Sequence, residues 1–417
     1  MLFLYRIIIN LIILISPLII IIRLIKKKES FLRFKEKFCF FSKKKSNGKT
    51  IWFHGASVGE LQSIIPLLEK LEKNKKIKQI LITSNTLSSS KIMEGTKFKK
   101  VVHQFFPVDT NFLSKKFLNY WKPSLAFFVD SEIWPNMIYN LERKKIPIGI
   151  INGRITKKTL KRWMIFSKFS KEIFSKFSFC LASSKESKNF LKKLGVKKVK
   201  FLGNLKFSQT ESEKIILDKD LSEFLQTKKT WCASSTHNSE EIFCAHVHKK
   251  LKIKHRNLLT IIIPRHIERV RSIKKDLENL QLKVHIHEPK NKIKKDTDIY
   301  IVNAYGKTKL FYKNCKNIFL GGSLIKHGGQ NPLEATRFGC NILHGPNVSN
   351  FREIYQFLKK KRISSQITTH TKMIKVLNKS FSKNTNSNKM QQKFILIGKN
   401  ILQKTFYEIN LLIKNEF

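Results

Sequence analysis

Three carboxylates in the first half of the chain follow short apolar runs. Glu60 ends the stretch IWFHGASVGE, and Asp130 and Glu132 follow the run SLAFFV. Small residues between a strand and a helix let a substrate approach the backbone, and the free amides of a helix start favour negative charge. Taken alone, Glu60 is explained equally well as a first-turn carboxylate that balances the helix dipole. All three carboxylates fall at the carboxyl ends of predicted strands, which favours a shared cleft over three separate helix starts.

The second half of the chain carries side chains suited to a nucleotide. The run LLTIII leads into Pro264 and Arg265. The later stretch GGQNPLE is predicted to open a helix, with Pro332 in its first turn and Gly329 to Asn331 as its cap. Glycines before a helix start are typical of phosphate or ribose binding. Arg265 offers a fork of donors for a phosphate, and Glu334 offers paired acceptor oxygens for ribose hydroxyls.

Alternating strands and helices must position these residues. We predict that the stretch Ile51 to Pro66 forms a strand, a tight glycine turn and a helix from Leu61. Further strands are predicted over Lys78 to Ser84, Val101 to Phe106, Ser124 to Val129, Ile146 to Ile151, Phe179 to Ala182, Thr230 to Ser234, Leu258 to Ile263, Ile299 to Val302 and Asn317 to Leu320. Repeated strand-to-helix units imply parallel, doubly wound sheets. Ligands of such sheets bind beyond the carboxyl ends of the strands.

The length of the chain sets its domain organisation. At 417 residues, 41% of them hydrophobic, it is too long for one ordinary core. We predict an α/β protein with two Rossmann-like domains, at residues 29–210 and 211–392, facing a cleft. Residues 1–28 are predicted to be a membrane anchor, and residues 393–417 an amphipathic closing helix.

The formal net charge of +53 points to an anionic partner. The lysines are spread along the chain without an aromatic-interleaved patch, and they accompany many Ile, Asn and Phe residues, which A/T-rich codons also encode. We therefore expect an anionic membrane surface as partner and no nucleic acid. A membrane-tethered nucleic-acid-binding protein is the alternative that shares this charge.

The segment Leu2 to Ile25 is strongly apolar. Its uninterrupted part, Ile7 to Ile22, would rise about 24 Å as a helix against a hydrocarbon core of about 30 Å, so it spans only if Arg6 and Arg23 snorkel. No small-residue cleavage site follows, and by the positive-inside rule the basic run Lys26 to Lys28 keeps the rest of the chain in the cytoplasm. We expect an anchor that is not part of the catalytic core.

The cysteines and histidines do not suggest a metal site. The six cysteines form no CxxC pair and show no zinc-site spacing, and the histidines between His237 and His255 lack the HExxH arrangement. We expect reduced, mostly buried thiols in a cytoplasmic protein, with no metal and no cofactor.

Five motifs occur in order after the apolar N-terminus: IWFHGASVGE, DSEIWPN, GNLKF, PRHIER and GGQNPLE. In this order they closely resemble the 3-deoxy-D-manno-octulosonic acid (Kdo) transferases, and the resemblance covers the chain from about Leu2 to Ile354. It implies a GT-B fold at the cytoplasmic face of the inner membrane. The N-terminal domain would bind the acceptor, the lipid A precursor, and the C-terminal domain would bind CMP-Kdo.

The resemblance also implies roles for individual residues. Glu60 falls on the general base, and Asp130 and Lys206 match positions that stabilise the transition state. The positions that would contact CMP are Pro264, Arg265, Tyr305, Gly306, Lys307, Asn331, Pro332, Leu333 and Glu334.

Three positions depart from the family pattern. The family usually has Glu in place of Asp130, Glu in place of Lys307, and His in place of Gln330. Asp130 keeps the negative charge on a shorter side chain, and Lys307 reverses a charge near the nucleotide. Gln330 still donates a hydrogen bond. A different GT-B glycosyltransferase that uses a UDP-sugar would share the same layout, so it is kept as the alternative enzyme.

Overall fold

The computed structural model describes residues 1–209, 218–287, 293–382 and 387–416. The chain divides into two compact units. The first comprises Met1–Gln209 together with Ile397–Phe417, and the second comprises Thr210–Leu396. Each unit contains one parallel sheet of seven strands.

The sheet of the first unit has the strand order β3-β2-β1-β4-β5-β6-β7. Its strands are β1 (Thr50–His54), β2 (Gln79–Ser84), β3 (Val101–Phe105), β4 (Leu125–Val129), β5 (Ile148–Gly153), β6 (Phe179–Ala182) and β7 (Val199–Phe201). Its helices are α1 (Leu2–Ile25), α2 (Val58–Glu72), α3 (Leu87–Glu94), α4 (Asn111–Trp121), α5 (Pro135–Arg143), α6 (Lys157–Met164), α7 (Ser167–Phe174) and α8 (Lys185–Leu194), with 3₁₀ turns at Phe34–Phe38 and Leu205–Ser208.

Local sequence explains where many of these helices begin. Each of five helices starts after a serine or threonine whose hydroxyl oxygen accepts a hydrogen bond from a backbone amide in the first helical turn, and these residues are Ser57, Thr86, Thr110, Thr156 and Ser184. Strands β1, β2 and β4 are buried along their whole length, as parallel strands covered by helices are. Because the strands are parallel, their carboxyl ends lie at the same edge of the sheet.

The sheet of the second unit has the order β10-β11-β9-β8-β12-β13-β14. Its strands are β8 (Lys229–Thr236), β9 (Leu258–Pro264), β10 (Val284–Ile286), β11 (Ile299–Ile301), β12 (Asn317–Leu320), β13 (Asn341–His344) and β14 (Ser364–Gln366). Its helices are α9 (Lys219–Gln226), α10 (Glu240–Lys254), α11 (Val270–Asn279), α12 (Thr308–Asn314), α13 (Leu333–Arg337), α14 (Arg352–Lys360) and α15 (His370–Ser382), with 3₁₀ turns at Ile267–Arg269 and Ser349–Phe351. A final helix, α16 (Ser387–Glu416), belongs to the first unit from Ile397 onward.

The predicted α/β class with two doubly wound sheets is confirmed, and the predicted strands lie within two residues of the observed ones. Strands β7, β10, β13 and β14 were not predicted from the sequence, because each has only three or four residues and lacks a long apolar run. The predicted start of α2 was too late, since the helix begins at Val58 directly after its Ser57 cap. The stretch Ser208 to Lys229, predicted as linker plus helix, includes α9, but residues 210–217 lie outside the described part.

Two further features concern the cysteines and the N-terminal helix. All six cysteines lie in the described ranges, where each is buried and unpaired. In the described part of the chain, one helix, α1, is long and apolar enough to cross a membrane by length and composition.

Candidate active site

Glu60 lies at the point where the sheet of the first unit reverses its strand order. The chain runs from β1 to one side and later returns to β4 on the other, so the turns after these two strands border one crevice. Ser57 caps α2, and its hydroxyl accepts a 3.4 Å bond from the Glu60 amide. Glu60 Oε2 in turn accepts bonds from the amides of Ala56, at 2.6 Å, and Ser57, at 3.2 Å. Glu60 is thus a helix-capping residue and a candidate base at the same position.

The surroundings of Glu60 change its acidity. Burial, followed by the charges of Asp130 and Glu132, raises the pKa of Glu60 to about 7, although the bonds from Ser57 act in the opposite direction. Like charges disfavour a further ionised carboxylate, as does a low dielectric. A carboxyl group whose pKa lies close to neutral pH is suited to take and release a proton.

Asp130 follows β4 with φ +59°, in the left-handed region that Asp adopts more easily than most residues. Its Oδ2 accepts a 2.7 Å hydrogen bond from Lys206 Nζ, and its Oδ1 accepts one from Asn152 Nδ2. Asn152 Oδ1 accepts from the Leu205 amide at 2.8 Å, beside the lysine. The structure therefore joins the predicted residues Asp130 and Lys206 as an ion pair. The turn after β4, the carboxyl end of β5 and the 3₁₀ turn after β7 hold that pair in place.

His54, at the end of β1, is a residue that the sequence analysis did not select. Its Nε2 lies 3.4 Å from Glu132 Oε2, which also accepts a 3.0 Å bond from Trp134 Nε1. Its Nδ1 lies 2.9 Å from Thr83 Oγ1. Burial lowers the pKa of the His54 imidazole below its ordinary value. The His54 imidazole thus borders the Glu132 carboxylate, and the signal for it was the polar residue that ends the apolar run IWFH.

In the second unit the strand order reverses between β8 and β12. The Glu240 carboxylate connects the turns after these strands, because it accepts bonds from the amides of His237 at 3.0 Å, Gly322 at 2.7 Å, Ser323 at 3.1 Å and Leu324 at 3.0 Å. Four donated hydrogen bonds give a buried carboxylate a structural role. The sequence analysis did not single out this residue.

Imidazoles gather beside the turns that Glu240 holds. The ring centroids of His237 and His327 are 4.3 Å apart, those of His237 and His266 are 5.9 Å apart, and Gln330 Nε2 lies 3.4 Å from His237 Nε2. Burial, followed by the charges of His327 and His266, lowers the pKa of His237 to about 4. The His237 imidazole is therefore neutral near pH 7, and this edge of the second sheet presents its ring nitrogens for hydrogen bonding.

The residues predicted to contact a nucleotide lie in turns along the same edge. Pro264 ends β9, and Arg265 is exposed just after it, its amide bonded to Thr236 O at 3.0 Å. Glu334 Oε2 accepts a 3.3 Å bond from Thr308 Oγ1 at the start of α12. Three of these residues, Tyr305, Gly306 and Lys307, form the turn between β11 and α12, and three others, Asn331, Pro332 and Leu333, lead into α13.

The two turns that are predicted to contact a nucleotide differ in local structure. The helix predicted to open in GGQNPLE is a single short turn, α13, whose N-cap is Pro332 and not Gly329 to Asn331. Asn331 Oδ1 accepts a 3.1 Å bond from the Leu333 amide. Gly306 has φ +77° and space where a Cβ would point.

Within the described ranges, His, Cys, Asp and Glu side chains form no group of three that could hold a metal ion.

The chain is similar to known proteins over most of its length. A model of the family described as 3-deoxy-D-manno-octulosonic-acid transferase (kdotransferase) matches residues 32–209. A 3-deoxy-D-manno-octulosonic acid transferase of Rickettsia bellii is 33% identical over 364 residues, which are 86% of each chain. A transferase of the same name from Haemophilus influenzae is 30% identical over 313 residues, 74% of this chain and 73% of the relative.

The fold also has a solved counterpart. The UDP-GlcNAc 2-epimerase of Neisseria meningitidis, bound to UDP-GlcNAc, superposes with a TM-score of 0.60 at 13% identity, covering 87% of this chain and 99% of the epimerase. At this identity the likeness concerns the GT-B-type fold alone. Because the identities to the named transferases extend through both units, the chain belongs to the 3-deoxy-D-manno-octulosonic acid transferase family of glycosyltransferases.

Proposed function

We propose that this protein transfers Kdo from CMP-Kdo to a hydroxyl group of the lipid A precursor, with Glu60 as the general base. The observation that carries the proposal is a half-buried carboxyl group with a pKa near 7, at the strand-order reversal of a Kdo transferase family member. The first unit would take the acceptor and the second unit the donor. The α1 helix would anchor the enzyme at the cytoplasmic face of the inner membrane.

The reaction needs one proton transfer. The acceptor oxygen forms a bond to the anomeric carbon of Kdo, the bond from that carbon to the phosphate oxygen breaks, and CMP leaves as a phosphate monoester. The proton of the acceptor hydroxyl goes to Glu60. Since the capping bonds from Ala56 and Ser57 both end on Oε2, we assign Oε1 to the acceptor hydroxyl. General base catalysis of this kind typically contributes about 10²- to 10⁴-fold in rate.

The departing CMP accumulates negative charge, which a positioned cation stabilises. Lys206 is suited to this, because its ammonium group is fixed by the 2.7 Å bond to Asp130 and its side chain is 22% exposed. Asp130 acts through the lysine and also raises the pKa of Glu60. The carboxylate of Asp130 would thus hold the ammonium group of Lys206 and also raise the pKa of the Glu60 base.

On the donor side, the exposed Arg265 would bind the phosphate and Glu334 the ribose hydroxyls of CMP. The contacts of the Tyr305 to Lys307 turn would be made through its backbone, which its glycine leaves accessible. The His237 and His327 imidazoles offer further hydrogen-bonding groups at the carboxyl edge of the second sheet.

The test is a direct comparison of donors. Full-length enzyme in detergent, incubated with the lipid A precursor, should convert CMP-Kdo and leave UDP-N-acetylglucosamine and UDP-glucose unused. The product mass should rise by the mass of whole Kdo residues, which also counts the units added. Conversion of a UDP-sugar with no reaction of CMP-Kdo would contradict the proposal.

A further inference from the structure

Helix α1 contacts the first unit along one narrow stripe. The side chains of α1 that are partly or fully buried recur every three or four residues, at positions 2, 5, 6, 9, 13, 16, 20, 23 and 24. Leu2 and Ile13 pack against the core cluster that includes Phe117 and Met137. A stripe of this period that runs from one end of a helix to the other means that the helix lies lengthwise against its support.

Both ends of α1 are bonded to the folded unit. Near its start, Tyr5 OH donates to Asp109 Oδ2 at 2.8 Å, and Arg6 Nε donates to Asn136 Oδ1 at 2.9 Å. Near its end, Arg23 Nε donates to Glu29 Oε2 at 3.1 Å.

Glu29 is itself fixed to the unit. It is 5% exposed and also accepts a bond from Lys37 Nζ. The Lys37 carbonyl oxygen accepts a 3.0 Å bond from the amide of Val108, the neighbour of Asp109 in sequence. The two ends of α1 are thus tied to one stretch of the same folded unit.

These contacts decide between two membrane topologies. From Tyr5 to Arg23 the helix rises about 27 Å, so a helix that crossed a hydrocarbon core of about 30 Å would place these residues at opposite surfaces. The polar groups Asp109 and Asn136 at one end and Glu29 at the other belong to one folded unit, which cannot lie on both sides. Arg6 and Arg23 bond inward to that unit, where a spanning helix would need them to snorkel outward.

The rest of α1 is large, apolar and exposed, from Phe3 at 75% exposed to Ile25 at 76%. The neighbouring surface of the unit continues this character. Phe112, 73% exposed, follows Asn111, which accepts a bond from Arg6. One turn later on α4, Lys116 Nζ lies 5.2 Å from the ring centroid of the exposed Phe40. The run Lys26 to Lys28 at the end of α1 is also exposed. Apolar area bordered by lysines matches the acyl and phosphate layers of an anionic leaflet.

We propose that α1 lies in the plane of the anionic membrane leaflet, clamped between the lipid and the first unit, and does not cross the bilayer. This topology follows from the contacts of α1 and does not depend on which sugar is transferred. Its functional consequence does rest on the proposed function. Asn136 lies in the first turn of α5, two residues after Trp134, whose indole donates to Glu132. A helix in the plane would therefore hold the acceptor-side carboxylates near the headgroups where a lipid acceptor is presented.

Four single-cysteine variants test the topology in the full-length chain. Leu4→Cys, Leu11→Cys, Leu18→Cys and Ile25→Cys replace exposed residues seven apart, which face nearly the same direction because each heptad turns by only about 20°. The six native cysteines are buried, so a nitroxide reagent should attach to the introduced thiol. Each labelled protein is reconstituted into vesicles of phosphatidylethanolamine and phosphatidylglycerol. The depth of each label is then read from its collision rates with oxygen and with a water-soluble nickel complex.

An in-plane helix places all four labels at one shallow depth. A spanning helix would place the second and third labels deep and the first and fourth at opposite surfaces, and this profile would overturn the proposal. Labels protected from both oxygen and nickel would mean that a second copy of the chain covers the apolar face, which would overturn it as well. Kdo transfer by the same vesicles is measured separately, so a failed topology and a failed function give different results.

Discussion

The ammonium group of Lys206 donates a 2.7 Å hydrogen bond to the carboxylate of Asp130, 76 residues earlier in the chain. The two residues come from turns after different strands, β4 and β7, and Asn152 near the carboxyl end of β5 holds the other carboxylate oxygen. An ion pair fixed in this way keeps its geometry while charge develops on the substrates. We expect the pair to act as one unit in catalysis.

A double-mutant cycle tests this pairing. Lys206→Met and Asp130→Asn should each lower turnover by about ten- to a hundredfold, since hydrogen bonds to charged groups contribute about 1.5–3 kcal/mol. The double variant should lose much less than the product of the two effects, because residues in contact are coupled. Lys200→Met is the matched control, as it removes a 2.7 Å bond to Glu408 at an exposed site. Fully independent effects of Lys206 and Asp130 would refute the pairing in catalysis.

Glu60→Gln should abolish transfer while CMP binding persists. The substitution keeps the size of the side chain and removes its ability to take a proton, so we expect turnover to fall at least about a hundredfold. Turnover is measured with saturating acceptor, and CMP binding by calorimetry. Glu69→Gln, on the exposed side of the same helix, is the control. Near-normal turnover of the Glu60 variant would remove this residue from the mechanism.

The raised pKa of Glu60 predicts two pH dependences. Only the ionised carboxylate takes a proton, so kcat/KM should rise with pH and level off above about 7. Stability should change in the opposite direction. A folded pKa above the unfolded value means that the folded state binds the proton more tightly, and this stabilisation is lost as pH rises from about 4.5 to about 7.

Comparison with Glu60→Gln isolates this contribution, because Asp109, whose pKa burial raises to about 7, titrates in the same range. Urea unfolding of both proteins across that range measures the difference. A constant difference in the free energy of unfolding from pH 4 to pH 8 would contradict the assigned pKa.

The N-terminal helix should contribute to stability as well as to membrane binding. Tyr5→Phe removes a 2.8 Å bond to Asp109, which is 1% exposed, so the free energy of unfolding should fall by about 1–3 kcal/mol. Tyr407→Phe, at a site 61% exposed on α16, should change it little. Asp109 keeps bonds from the amides of Asn136 and Met137, so we still expect a chain that starts near Phe31 to fold and to act on detergent-dispersed acceptor. Failure of that chain to fold would give α1 an essential structural role.

The nucleotide assignment is tested by Arg265→Ala and Glu334→Ala. Each should weaken CMP binding by about ten- to a hundredfold and leave acceptor affinity nearly unchanged, because a charged hydrogen bond contributes about 1.5–3 kcal/mol. Calorimetric titration with CMP, beside an acceptor-binding assay, measures both effects. Glu353→Ala, a first-turn carboxylate of α14, controls for loss of a helix-start charge. Unchanged CMP affinity with weakened acceptor binding would invert the domain assignment.

The sequence by itself determined the fold class and the candidate general base. Strongly apolar runs bounded by glycine and small polar residues predicted most of the strands, because a parallel strand buried on both faces needs a continuous apolar run. Ordered motifs selected Glu60, Asp130 and Lys206, and the comparison with relatives shows the family that these motifs indicated. Short strands such as β14, with the sequence Ser-Ser-Gln, were not predictable because their burial is imposed by neighbouring elements.

Only the tertiary structure decided which of these residues meet. The contact between Asp130 and Lys206, and the one between His54 and Glu132, depend on strand order and on turn geometry, which local sequence does not encode. The same holds for α1. Its composition predicted an apolar helix, whereas the stripe that packs against the folded unit and the inward bonds of Arg6 and Arg23 arise from side chains more than a hundred residues away and from the buried Glu29. Sequence sets the hydrophobicity of a segment, and the packing of its faces sets the direction in which it lies.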